Sequence, residues 1–128
     1  MMKRMLTMKA ALLTALLFAA GIAPAAAQQI GEWVLARYKG GDYWYPGVIQ
    51  TVIPEAITVL YDDGMREALP LNQVRPYDWN TGSAVECNWQ NGGKWYPGKI
   101  VSLKATLLTV RYDDGDVETT RTGQCRSG

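Results

Sequence analysis

The chain has 128 residues, with 13 basic and 12 acidic side chains, two cysteines and no histidine. Lacking histidine, it cannot hold a Ser–His or Cys–His nucleophilic pair or a His-bound metal, and two cysteines are too few for a four-ligand zinc site. Near-balanced charge also argues against a phosphate-neutralising face, so nucleic acid is not an expected partner.

The first stretch reads as an export leader. Lys3, Arg4 and Lys9 form a basic head, Ala10 to Ala20 is an apolar run, and Pro24 precedes Ala25-Ala26-Ala27. A basic head, apolar middle and small-residue cleavage site are the order of a secretory signal, and the run is shorter than the ~20 residues a spanning helix needs. Cleavage after Ala27 leaves 101 residues with ten basic and twelve acidic side chains, a net charge of −2. The residue directly after the cleavage site is Gln28 rather than a cysteine that could carry a lipid. The expected location is periplasmic or secreted, with no membrane contact after cleavage.

Beyond the leader the chain is a duplication. Trp44-Tyr45-Pro46-Gly47 and Tyr61-Asp62-Asp63-Gly64 recur as Trp95-Tyr96-Pro97-Gly98 and Tyr112-Asp113-Asp114-Gly115 at a constant offset of 51 residues. Aligned at that offset, residues 33–75 and 84–126 share sixteen identities in forty-three positions. These fall on WYPG, Ile49/Ile100, Thr58-Val59/Thr109-Val110, YDDG, Glu67/Glu118, and Gln73 and Arg75 with Gln124 and Arg126. Each copy is therefore one structural unit.

In the first copy Trp33 to Tyr38 is a β-prone run ended by Lys39-Gly40-Gly41-Asp42. Tyr43 to Val52 forms a second strand in which Pro46-Gly47 predicts a bend or bulge. Ile57 to Tyr61 is a third, β-branched strand. Asp63-Gly64 predicts a tight hairpin into a fourth strand through Leu69, and Val74-Arg75 a brief fifth. The second copy repeats the order as Val85–Trp89, Lys94–Leu103, Leu107–Tyr112, Val117–Thr120 and Cys125. Five short antiparallel strands hide their edges by curling into a small barrel. The expected architecture is all-β, two tandem five-stranded SH3-like barrels at 28–76 and 84–128, joined by a linker at 77–83. Tyr77 and Trp79 are expected to pack between the barrels.

Cys87 and Cys125 are either buried free thiols or a disulfide. Export to an oxidising compartment favours the bridge. So does the barrel, because Cys87 lies on the first strand of its copy and Cys125 on the last, which are neighbours on closure. The 38-residue separation corresponds to about 4 kcal/mol of chain entropy.

With these motifs the sequence resembles a tandem Tudor protein of the Tudor/Agenet group of SH3-like barrels. The match is carried by Ala36-Arg37-Tyr38 and Cys87-Asn88-Trp89, WYPG followed by Ile, YDDG, a Glu, and the closing Val74-Arg75 or Cys125-Arg126, across residues 31–126. The resemblance implies an aromatic cage at one end of each barrel for a cationic group such as methylated lysine or arginine. Its walls would be Tyr38, Tyr45 and Tyr61 in the first copy and Trp89, Tyr96 and Tyr112 in the second. Asp62, Asp63, Asp113 and Asp114 would border them. No aromatic follows the third strand, so the match implies half-open cages with an acidic lip.

The residues themselves leave two readings open. Aromatic faces attract an ammonium or guanidinium by about 0.5–2 kcal/mol per ring, and three rings beside a carboxylate give ~5 kcal/mol, a dissociation constant near 0.1–1 mM. Equally, Tyr and Trp in so small a barrel are often packing, and alternation assigns Trp44 and Trp95 to packing on the face opposite their Tyr neighbours. Turn chemistry alone accounts for the Asp pairs. Arg75 and Arg126 are expected to close surface ion pairs. Asp113, Asp114, Asp116 and Glu118 lack the spacing of a calcium loop, so no metal, cofactor or catalytic residue is expected. The first functional reading is an exported, non-catalytic module for a peptide or protein with cationic side chains, or a cell-envelope polymer. The other is a disulfide-stapled spacer or envelope assembly subunit without a small ligand.

Overall fold

The computed structural model describes residues 28–128; the leader read at 1–27 lies outside them. The first barrel comprises β1 (Trp33–Ala36), β2 (Tyr45–Ile53), β3 (Ala56–Tyr61), β4 (Arg66–Pro70) and β5 (Val74–Pro76). The second comprises β6 (Ala84–Asn88), β7 (Trp95–Lys104), β8 (Leu107–Tyr112), β9 (Val117–Arg121) and β10 (Cys125–Arg126). Each forms a five-stranded antiparallel sheet, ordered β4-β3-β2-β1-β5 and β10-β6-β7-β8-β9. The expected all-β tandem of five-stranded units is what forms, and the connections add only single turns of 3-10 helix.

Local chemistry explains most of the register. Tyr61 and Met65 bond across a three-residue loop in which Gly64 takes φ 92°, and Gly115 does the same at φ 99°. The bend assigned to Pro46-Gly47 lies elsewhere: β2 slips register between Ile49 and Thr51, and β7 between Ile100 and Ser102. Glycine in WYPG answers a different need. A Cβ on Gly98 would sit 2.6 Å from the Arg111 carbonyl oxygen and 2.9 Å from the Tyr112 Cα, so β7 reaches β8 only without a side chain there. The first strand also ends early, at Ala36. Tyr38 instead opens a 3-10 turn whose second residue, Lys39, has left-handed backbone at φ 53°.

β1 is buried on both faces, which is why Val34-Leu35-Ala36 is an unbroken apolar run. Val34 and Ala36 join Ile49, Ile57, Val59, Leu69 and Val74 in the first core. Leu35 points the other way and joins Trp44, Trp79, Val85, Ile100, Leu108 and Val110 in the second. The position equivalent to Leu35 in the second copy is Glu86, which is half-buried and pairs with Arg126 at 3.0 Å.

The barrels therefore pack directly. Trp44 is 8% exposed, and Arg37 and Arg75 lie against its ring at 4.8 and 4.3 Å. Linker residue Trp79 is buried and donates its indole N–H to the Ser127 hydroxyl, while Tyr77 packs on Trp33 and Trp79. On the far side, Asp62 accepts from the Gly123 N–H at 3.0 Å and pairs with Arg121. Cys87 and Cys125 sit opposite each other in the β6–β10 ladder and are bonded.

One expectation fails here. Arg75 has no carboxylate partner among the described residues and stacks on Trp44, as Arg126 stacks on Trp95 at the same 4.3 Å. The repeated arginine tracks the repeated tryptophan, because a guanidinium plane fits an aromatic face. Arg126 does pair with Glu86, but it also packs 3.7 Å from the Tyr43 ring centroid and donates to the Tyr45 hydroxyl.

Candidate aromatic-cage site

The third strand of each barrel ends on an inward-facing tyrosine. Tyr61 and Tyr112 are 7% and 4% exposed, so each is the floor of a rim rather than an open wall. Their hydroxyls donate to Glu67 and Glu118 respectively. The same glutamates accept a backbone N–H from the neighbouring turn, Lys39 at 2.8 Å and Gln90 at 2.9 Å. Each glutamate thus ties the floor tyrosine to the turn that carries the next ring, Tyr38 or Trp89. Sequence reasoning gave these two residues no role, although their identity at the fixed offset was the available signal. Burial, then the glutamate hydrogen bond and charge, raise both phenol pKa values well above the ordinary 10.

The second rim is open. Trp89, Tyr96, Tyr112, Asp113, Asp114 and Asp116 enclose a cleft of about 330 Å³ together with Pro97. Tyr96 stands nearly perpendicular to Tyr112, with centroids 6.5 Å apart and an interplanar angle of 89°. Trp89 and Tyr96 are 39% and 43% exposed. Asp114 caps the Asp116 N–H at 3.0 Å, which holds the turn, and the acids line one side of the rings. Asp116 was not among the expected site residues. It lies in the turn after the third strand, where the copy has no aromatic.

The first rim is not the same. Tyr38 makes near-perpendicular contacts with Tyr45 at 6.2 Å and Tyr61 at 5.7 Å. Its cleft of about 280 Å³ is shared with the second barrel, which contributes Asn88, Asn91, Trp95 and Gln124. Trp95 meets Tyr45 at 6.1 Å and 86°, supplying in the folded tandem the aromatic wall that the local sequence lacks. Asp62, Asp63 and Met65 line it too, and the Asp62 carboxylate is also held across the barrel interface by Arg121 and the Gly123 N–H. All ten expected site residues thus fall in two clusters, one within the second barrel and one shared between barrels.

Comparison with known proteins agrees with this architecture. A family model described as the Agenet domain matches residues 82–124, the second barrel. No curated protein matches the chain. Among solved structures, the tandem tudor domains of Crb2 superpose with a TM-score of 0.53 at 16% identity, covering 77% of this chain and 78% of that one. ADCP1 tandem Agenet domain 3-4 gives a TM-score of 0.38 at 14% identity over 84% of each chain. The AGD34 segment of Arabidopsis thaliana AGDP1 gives 0.39 at 14%, over 84% and 86%. The first likeness is one of fold: the chain folds as tandem Tudor domains do, and its second barrel matches the Agenet family model.

Proposed function

We propose that the protein is a non-catalytic binding module whose second rim receives a cationic side chain, such as a methylated lysine or arginine, on a peptide or polymer. The single observation that supports this most is the open pairing of two accessible rings, Trp89 and Tyr96, with a line of three carboxylates, Asp113, Asp114 and Asp116. Ring faces carry negative potential and the carboxylates add to it, so an ammonium gains from both without leaving solvent entirely. Tyr112, fixed by Glu118, forms the floor and orders the turn in advance. Among the described residues no chain cation lies over these rings, whereas Lys39 and Arg126 border the rings of the first rim.

The basic, apolar and small-residue order of 1–27 supports export, and an exported module meets peptides and envelope polymers with cationic groups. Titration of the protein with trimethyllysine, followed by NMR at the Trp89 indole and the Tyr96 amide, tests the reading. Saturable shifts in the range of about 0.1–10 mM are expected. Silence at both positions at higher concentration overturns the cationic reading of the second rim and favours the disulfide-stapled spacer there.

A further inference from the structure

The cleft between the barrels has walls of one chemistry and a rim of another. Tyr38, Tyr45 and Trp95 meet edge to face and all three line the cleft. The second barrel adds three side-chain amides, in which Asn88 donates to the Asn91 and Gln124 oxygens and leaves their N–H groups to a guest, while Asp62 and Asp63 line the first-barrel side. An amide offers both a donor and an acceptor with no net charge, which suits hydroxyl groups rather than ions.

Charge points the same way. Lys39 Nζ lies 5.4 Å from the Tyr38 ring centroid, and Arg126 stacks on Trp95 while donating to the Tyr45 hydroxyl. These rings already satisfy cations of the chain itself. The Asp62 carboxylate is held by Arg121 and Gly123, and Asp63 caps the Met65 N–H with one oxygen. A second ammonium would meet two positive charges here and far less free carboxylate than at the other rim.

We propose that this inter-barrel cleft is a second ligand site, built only by the packed tandem, for an uncharged hydroxyl-bearing ring: a pyranose sugar. The C–H groups of a pyranose face are weakly positive and lie flat on an aromatic face, while its equatorial hydroxyls reach outward to donors and acceptors. The cleft volume of about 280 Å³ accommodates one to two such rings. The Trp95 face not covered by Arg126 stacks the ring, and the amide N–H groups of Asn91 and Gln124, whose oxygens accept from Asn88, donate to its edge. This proposal goes beyond the cationic reading of the second rim and does not depend on it.

The test is an NMR titration with two neutral trisaccharides, the N-acetylglucosamine trimer and cellotriose, with trimethyllysine in parallel. Saturable shifts of the Trp95 indole N–H and the Asn91 side-chain amide by either sugar support the site, and the pair reports whether an acetamido group is read. Trimethyllysine is expected to leave those signals in place. Asn91→Gly deletes one amide while tolerating the left-handed backbone there (φ 57°), and should weaken the sugar about fivefold. Trp95→Leu should weaken it about tenfold. Ile30→Ala, exposed and outside both rims, should leave the sugar affinity unchanged. The proposal is overturned if neither sugar moves Trp95 at about 20 mM, if the shifts centre on Trp89 and Tyr96, or if trimethyllysine alone moves Trp95. The two rims report through separate residues, so failure at one is distinguishable from failure at the other.

Discussion

Trp44 and Ser127 exchange two backbone hydrogen bonds, of 2.7 and 3.0 Å, in an isolated antiparallel bridge. One residue stands just ahead of β2 in the first barrel and the other just after β10 in the second, so the bridge ties the end of the chain to the first barrel. Around it, Trp44 fills space against the second core, and Arg126 reaches Tyr43, Tyr45 and Trp95.

The two barrels should accordingly unfold as one unit. Trp44→Ala empties a buried aromatic site and is expected to cost about 3–5 kcal/mol. It should also split a single urea transition into two, read by Trp fluorescence and by far-ultraviolet circular dichroism. A single unshifted transition in this variant contradicts direct packing.

The disulfide acts on the same interface at one remove. Cys125 is followed immediately by Arg126 and Ser127, whose contacts bridge the barrels. Replacing both cysteines by alanine is expected to remove about 4 kcal/mol, the entropy of a 38-residue loop. Urea melts of the variant against the oxidised protein measure it. The Trp79 indole signal, hydrogen-bonded to Ser127, should broaden or move at the same time.

At the second rim, Trp89 and Tyr96 are exposed enough to be removed without damage to the fold. Each change to alanine should weaken trimethyllysine binding about 2- to 30-fold and leave the urea midpoint within experimental error. Glu118→Gln tests positioning. It keeps one acceptor oxygen, for the Tyr112 hydroxyl or the Gln90 N–H but not both, so affinity should fall, though less than in Glu118→Ala.

Gly98→Ala is expected to cost about 1–3 kcal/mol, because the added methyl meets backbone of β8 rather than a side chain that could turn away. Hydrogen exchange at Tyr112 and Arg111 should rise first. Gly115→Ala should be milder on packing, since nothing lies within 4 Å, with its cost confined to backbone strain at φ 99°.

Alkali should unfold the protein in a defined window. Burial pushes the Tyr77 pKa up to about 12, and burial with a glutamate partner raises Tyr61 and Tyr112 further. Each phenol ionises more readily in the unfolded chain, so its contribution is intact below pH 10.0 and is lost as pH rises toward about 12 and beyond. Absorbance of the phenolate against pH, beside circular dichroism, measures this. Tyr77→Phe should shift the unfolding midpoint to higher pH.

Much of this was legible before any coordinates. The strands, their antiparallel order and the Asp-Gly hairpins follow from β-branched runs punctuated by turn residues, which are local properties. The cysteine pairing follows from those strands because first and last must meet on closure. The ring clusters were legible too, since WYPG and YDDG lie on adjacent strands at fixed register, as in the pairing of Gly98 with Tyr112. The bulge was misplaced because Pro-Gly resembles a bend, while the actual slip at Gln50 and Val101 leaves no comparable residue signature.

A duplicated sequence by itself determined two like barrels, each with rings and acids at one end, because backbone preference and side-chain alternation act over a few residues. Only tertiary structure decided that the two ends differ. Leu35 in one copy and Glu86 in the other make only one outer β-sheet face fit for docking, so the barrels meet off symmetry. That docking sets Trp95 beside the part-buried Tyr38 and Tyr45 and leaves Trp89 and Tyr96 exposed, an outcome set by contacts between residues about fifty positions apart.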